Sequence, residues 1–65
     1  MNREPSDNMI KDVIKMVDYE LHQTIGYEKA ECIAKNILST AKDRESVYRV
    51  STSRLEKLVN QCGRE

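Results

Sequence analysis

The sequence predicts a mainly α fold: a helical hairpin, one short β-strand and a C-terminal helix, closed into a two-fold dimer by an intermolecular antiparallel strand pair. Three observations lead there. Apolar residues recur at helical spacing in three separate runs. Between the second and third runs stands "SVYRV", residues 46–50, short and rich in the β-branched and aromatic residues that strands favour. The core-forming material is also thin for one copy: 65 residues with no Phe, no Trp, and Tyr19, Tyr27 and Tyr48 as the aromatics. Chains of this size usually add a disulfide, a metal or a second subunit.

Residues 1–8, "MNREPSDN", are polar, contain the single proline and read as a disordered lead-in, with Ser6 or Asp7 placed to cap a helix. Residues 9–63 read as one small helical dimerisation and interaction domain. In "MIKDVIKMVDYELHQTI", Ile10, Val13, Ile14, Val17 and Leu21 follow the spacing of a helix face, and Met9 and Met16 widen it. An apolar arc approaching roughly 180° exceeds what a simple surface helix needs, so this helix should touch two neighbours.

Gly26 interrupts the pattern, either ending the first helix or opening the next. "YEKAECIAKNILSTAK" then resumes the period with Ala30, Ile33, Ala34, Ile37, Leu38 and Ala41. So short a connection predicts an antiparallel hairpin, its backbones brought close by the small residues at 30, 34 and 41. Glu31 and Lys35 have the spacing of a modest surface ion pair. After the polar break "KDRE", the alternation of the strand puts Tyr48 and Val50 on one face and Val47 and Arg49 on the other. "STSRLEKLVNQCG" closes the chain as a helix. Its apolar stripe is Leu55, Leu58, Val59 and Cys62, Ser53 with Glu56 matches a capping box, and Gly63 is placed as the C-terminal cap.

A lone strand leaves backbone N–H and C=O groups that need partners when shielded from water. Residues 46–50 are then either an extended linker bonded to solvent or a strand that pairs with its own copy across a two-fold axis. The broad face of the first helix favours the second, since four helices could bury what one hairpin cannot. The expected dimer interface is Ile10, Val13, Met16 and Val17 from the first helix, with Val47, Tyr48 and Val50 from the strand.

Cys32 and Cys62 are too few and too far apart for a secreted disulfide framework, no apolar leader or membrane span is readable, and a cytoplasmic protein with reduced thiols follows. Eleven basic residues balance eleven acidic ones. Residues 1–25 hold three basic and five acidic side chains, residues 46–65 four basic and two acidic. Contact with a polyanion would therefore involve the C-terminal third.

The segment "IKDVIKMVDYELHQTIGYEKAECIAKNILSTAKDRESVYRVSTSRLEKLV" resembles the dimerisation half of the Mor transcription-activator family of Mu-like phages. That family orders an amphipathic helix, a Gly-containing connection, a second helix and a tyrosine-centred strand. "TIGYEKAECIAKNI" looks like the connection and second helix, and "VYRVS" like the strand. Where the family has a Gly-Gly turn and a proline after the tyrosine, this chain has Asp43, Arg44 and Glu45, then Arg49 and Val50. The family's helix-turn-helix would follow the strand, and the sequence is expected to end before one could fit. The resemblance thus implies a dimer module with paired strands, without DNA recognition.

Catalytic chemistry is not expected. His22 stands one helical turn from Asp18, but no nucleophile motif accompanies the pair, so an exposed histidine is the simpler reading. Cys62 reads as a small core residue, and Cys32, opposite the main stripe of its helix, as facing solvent or a partner. Together with His22 they lack the spacing of a zinc site. Arg49, Arg54 and Lys57 are the candidate partner-binding residues, able to grip phosphates or an acidic surface. Tyr48 could stack on a base, although packing across a strand pair suits it better.

The sequence thus points to a small homodimeric regulatory protein of phage or mobile-element origin, using no cofactor and not embedded in a membrane. It would bind, and inhibit, a larger host protein or nucleic-acid-handling complex by occupying its surface. The alternative is a Mor-like regulator that contacts DNA weakly through the basic ribbon and last helix.

Overall fold

The computed structural model describes residues 4–40 and 49–63, and these form three helices: α1 (Asp7–Leu21), α2 (Tyr27–Thr40) and α3 (Thr52–Cys62). The chain is mainly α, as its periodicity predicts. Helix α1 starts inside the expected lead-in. Ser6 is its N-cap, with the Met9 N–H donating to Ser6 Oγ at 3.2 Å, and Asp7 and Asn8 are already helical. The helix ends on His22, an exposed residue at φ 54° whose N–H reaches the Asp18 carbonyl at 2.9 Å. A left-handed residue here satisfies an end carbonyl and turns the chain, a position that glycine fills more often. Gly26 belongs to the next helix, where its carbonyl accepts from the Ala30 N–H at 3.0 Å.

The sense of α2 departs from expectation. Tyr27, in the first turn of α2, donates its hydroxyl to Asp7 Oδ1 in the first turn of α1 at 2.7 Å. In an antiparallel hairpin Tyr27 would sit beside Leu21, about 20 Å from Asp7 at 1.5 Å rise per residue. Residues 22–26 instead carry the chain back along α1. The six Cα–Cα steps from Leu21 to Tyr27 can span about 20 Å, enough for the return, and Ile25 is buried to fix its course. Both N-terminal turns therefore lie together, and α2 runs in the same general sense as α1. Helix α3 runs antiparallel to α2: Arg54 reaches Thr40 at one end, and Cys62 meets Cys32 at the other.

The core consists of Met9, Ile10, Val13 and Val17 from α1, Ile25, then Ala30, Ile33, Ala34, Ile37 and Leu38 from α2, and Leu55, Leu58 and Val59 from α3. These are the predicted stripes. Ala30 and Ala34 are fully buried, as close approach of the backbones requires, while Ala41 lies outside the described residues. The broad face of α1 meets α2 and α3 of its own chain, with Ile14, Met16 and Leu21 half-buried at the margin. One argument for a dimer therefore falls away, because the third helix supplies the second neighbour that the wide arc demanded.

Of the expected strand, residues 46–48 lie outside the described residues. Arg49 is a single residue of 3-10 turn, Val50 is half-buried against the core, and no strand occurs among the described residues. The N-cap of α3 is Ser51, not Ser53: the Arg54 N–H donates to Ser51 Oγ at 3.3 Å, and Ser53 stands inside the helix. Gly63 closes α3 as expected, with right-handed φ −84°. On α2 the anticipated Glu31–Lys35 ion pair is not formed. Lys11 and Asp7 do pair, at 3.1 Å, and a bond worth only tenths of a kcal/mol is easily forgone at the surface.

Candidate functional site

The largest departure from the sequence reading is covalent. Cys32 and Cys62 are joined in a disulfide, their Cα atoms 6.0 Å apart, within the span a bridge requires. Neither cysteine is the free thiol that was expected. Cys32 does face away from the main stripe of α2, but what it faces is the last turn of α3. Because α2 and α3 are antiparallel, the second turn of one lies beside the end of the other. The bridge encloses a sequence separation of 30 residues, so it ties the C-terminal helix to the middle helix.

The sulfurs sit at the surface rather than in the core. Both cysteines are half-buried and, with Glu28, Lys29 and Gly63, line an open hollow of about 260 Å³. Asn36, one turn beyond Cys32, supplies the polar contact. Its Nδ2 donates to the Cys32 carbonyl at 2.8 Å and approaches Cys32 Sγ at 3.6 Å and Cys62 Sγ at 3.7 Å. A side-chain amide thus spans both halves of the bridge. The Lys29 ammonium lies over Gly63: a Cβ built at Gly63 would stand 3.0 Å from Lys29 Nζ. This end of the molecule also carries the Tyr27–Asp7 bond, which lowers the Asp7 pKa chiefly by stabilising its carboxylate, with Lys11 assisting, and raises that of Tyr27.

The opposite end holds two of the predicted partner-binding cations, Arg49 and Arg54, with Lys57 farther along α3 at its middle. Thr52 Oγ1 donates to Glu20 Oε2 at 3.1 Å, and Arg54 Nη2 donates to Thr40 Oγ1 at 2.8 Å, so the first turn of α3 is fastened to the ends of α1 and α2. Ser39 and Thr40 hydroxyls in turn donate to the Asn36 and Ile37 carbonyls, at 2.7 Å and 3.2 Å, and finish α2. Arg54 and Lys57, three residues apart on α3, are exposed on neighbouring turns, and Arg49 is exposed just before the Ser51 cap.

The predicted dimer residues divide. Ile10, Val13 and Val17 are buried in this chain's own core, Met16 and Val50 are half-buried against it, and Val47 and Tyr48 lie outside the described residues. His22 is exposed at the cation end, away from the cysteines, and no group of three or more His, Cys, Asp or Glu residues among the described residues could hold a metal ion. No helix among the described residues is long and apolar enough to cross a membrane. No family model, no curated protein and no solved structure matches this chain, so the likeness to the Mor activators rests on the residues quoted above.

Proposed function

We propose that this chain is a small helical interaction protein that binds, and inhibits, a larger host protein or nucleic-acid-handling complex by occupying part of its surface. The observation that supports it best is the exposed cation set of Arg49, just before α3, and Arg54 and Lys57, in its first turn and at its middle, on a helix pinned at both ends. Arg54 is already held by Thr40, so little side-chain freedom is lost when it meets a carboxylate or phosphate. An acidic partner surface is the complementary chemistry. The mechanism is steric and electrostatic and uses no cofactor.

Self-association through residues 46–50 belongs to this reading, supported by the sequence "SVYRV" itself and added to a core that one chain already closes. Phage or mobile-element origin is drawn from the resemblance to the Mor activators. In a cytoplasmic setting the Cys32–Cys62 bridge would be a reversible state, because reducing compartments do not keep structural disulfides permanently. The same cations favour a second reading, direct contact with DNA phosphates without base recognition.

Charge reversal tests the role of the cations, and a gel shift separates the two readings. Arg54→Glu with Lys57→Glu should leave the helical content unchanged and weaken capture of the host partner roughly tenfold or more, as loss of complementary charge does. Undiminished capture by the double variant contradicts the proposal. Gel shift against duplex DNA at low and moderate salt tests the second reading, which an absence of any shifted species removes. Sedimentation at several concentrations tests the dimer.

A further inference from the structure

We propose that the Cys32–Cys62 bridge is a thiol-exchange site, opened at Cys62 by an incoming thiol while the three-helix fold is still in place. Two features place the attack. The bridge borders an open hollow at the surface, so a thiol can reach sulfur without crossing the core. The two sulfurs also differ as leaving groups. Cys62 is the last residue of α3, at the negative end of that helix, where a thiolate is disfavoured. Cys32 lies within α2, away from any such negative end, and the Asn36 amide, 3.6 Å from its sulfur and 3.7 Å from that of Cys62, is ready to donate to the thiolate that forms.

The exchange balances as follows. A thiolate attacks Cys62 Sγ, a sulfur–sulfur bond forms there, the Cys32–Cys62 bond breaks, and its electron pair leaves on Cys32 Sγ, which takes a proton from water. A second thiol then attacks the incoming sulfur of this mixed disulfide and releases Cys62. Two thiols are oxidised to one disulfide as the bridge gains two electrons and two protons. Lys29, on the rim of the hollow, draws an anionic thiolate toward the site, and Glu28 on the same rim opposes it. The site therefore favours small or weakly charged thiols. Nothing in this depends on which partner the cations bind.

The probes are dithiothreitol and reduced glutathione, applied to the intact oxidised chain, with alkylation and peptide mapping as the readout. The rate of reduction by dithiothreitol should be unchanged, within twofold, as urea is raised below the unfolding transition. A rate that climbs in step with the unfolding constant would mean that exchange needs the unfolded chain, and it overturns the proposal. With glutathione, the trapped intermediate should carry glutathione on Cys62 and the alkyl label on Cys32. The reverse labelling, or an even mixture, also overturns it. Asn36→Ala, an exposed substitution, should slow reduction by roughly three- to tenfold, the share of one hydrogen bond to a forming anion. An unchanged rate would show that no thiolate forms beside the Asn36 amide while the fold is in place, and it overturns the proposal.

Discussion

Single residues decide where the helices begin and how their ends are joined. A cap at Ser6 or Asp7 was legible because a lone Ser-Asp pair precedes the first apolar period, and the fold uses Ser6. Ser51 was not, because "STS" offers three hydroxyls in a row and Ser53 with Glu56 makes the better formal match. Geometry chooses Ser51, since its extended backbone lets its oxygen reach the Arg54 N–H. Ser51→Ala should cost about 1 kcal/mol in denaturant unfolding, whereas Ser53→Ala should stay within about 0.5 kcal/mol. The Tyr27–Asp7 bond fixes a pH window. Asp7 has its folded pKa lowered, so its contribution is present above the ordinary carboxylate range and is lost as pH falls through the lowered value. Tyr27 is raised, so its share is complete below its ordinary range and is lost as pH rises through the raised value. The bond therefore acts across the broad neutral range between the two. Tyr27→Phe should move the Asp7 pKa upward in an NMR titration, since the largest cause of its lowering is removed. An unmoved titration would show that the bond does not form in solution.

At the scale of elements, the stripes of all three helices were readable because 3.6-residue periodicity survives in the sequence whatever the helices pack against. The sense of α2 was not. A short connection normally implies a hairpin, and nothing in "HQTIG" announces that it carries the chain back along α1 with Ile25 turned into the core. That one apolar residue is the signal that could have been used, since an exposed turn has no need of it. Ile25→Ala should therefore cost about 2–4 kcal/mol, the range for truncating a buried Ile, with loss of helicity at a lower urea concentration. A change below about 1 kcal/mol would show that the connection does not anchor α2. The wide apolar arc of α1 was read correctly as needing two neighbours, but the neighbour was sought in a second chain when the third helix supplies it. Of the segment 46–50 only Arg49 and Val50 are among the described residues, and neither lies in a strand, although β-branched composition favours one where a ladder partner exists.

For the whole molecule, small size was recognised as demanding a staple, and the choice fell on a dimer because two cysteines 30 residues apart carry no pairing signal of their own. Their proximity emerges only from the antiparallel packing of α2 and α3, which the expected hairpin obscured. The charge asymmetry was legible; in the fold Arg54 stands at the end opposite the bridge and Lys57 at the middle of α3. A disulfide closing a loop of this length restricts the unfolded chain by about 3–4 kcal/mol in the chain-entropy account. That rivals the whole stability expected of a 65-residue core. The most direct measurement is thermal unfolding by circular dichroism of the oxidised chain beside the chain reduced with dithiothreitol. Reduction should lower the Tm by roughly 15 °C or more. Coincident melting curves would contradict the claim that one chain closes its own core and is held shut by the Cys32–Cys62 bridge.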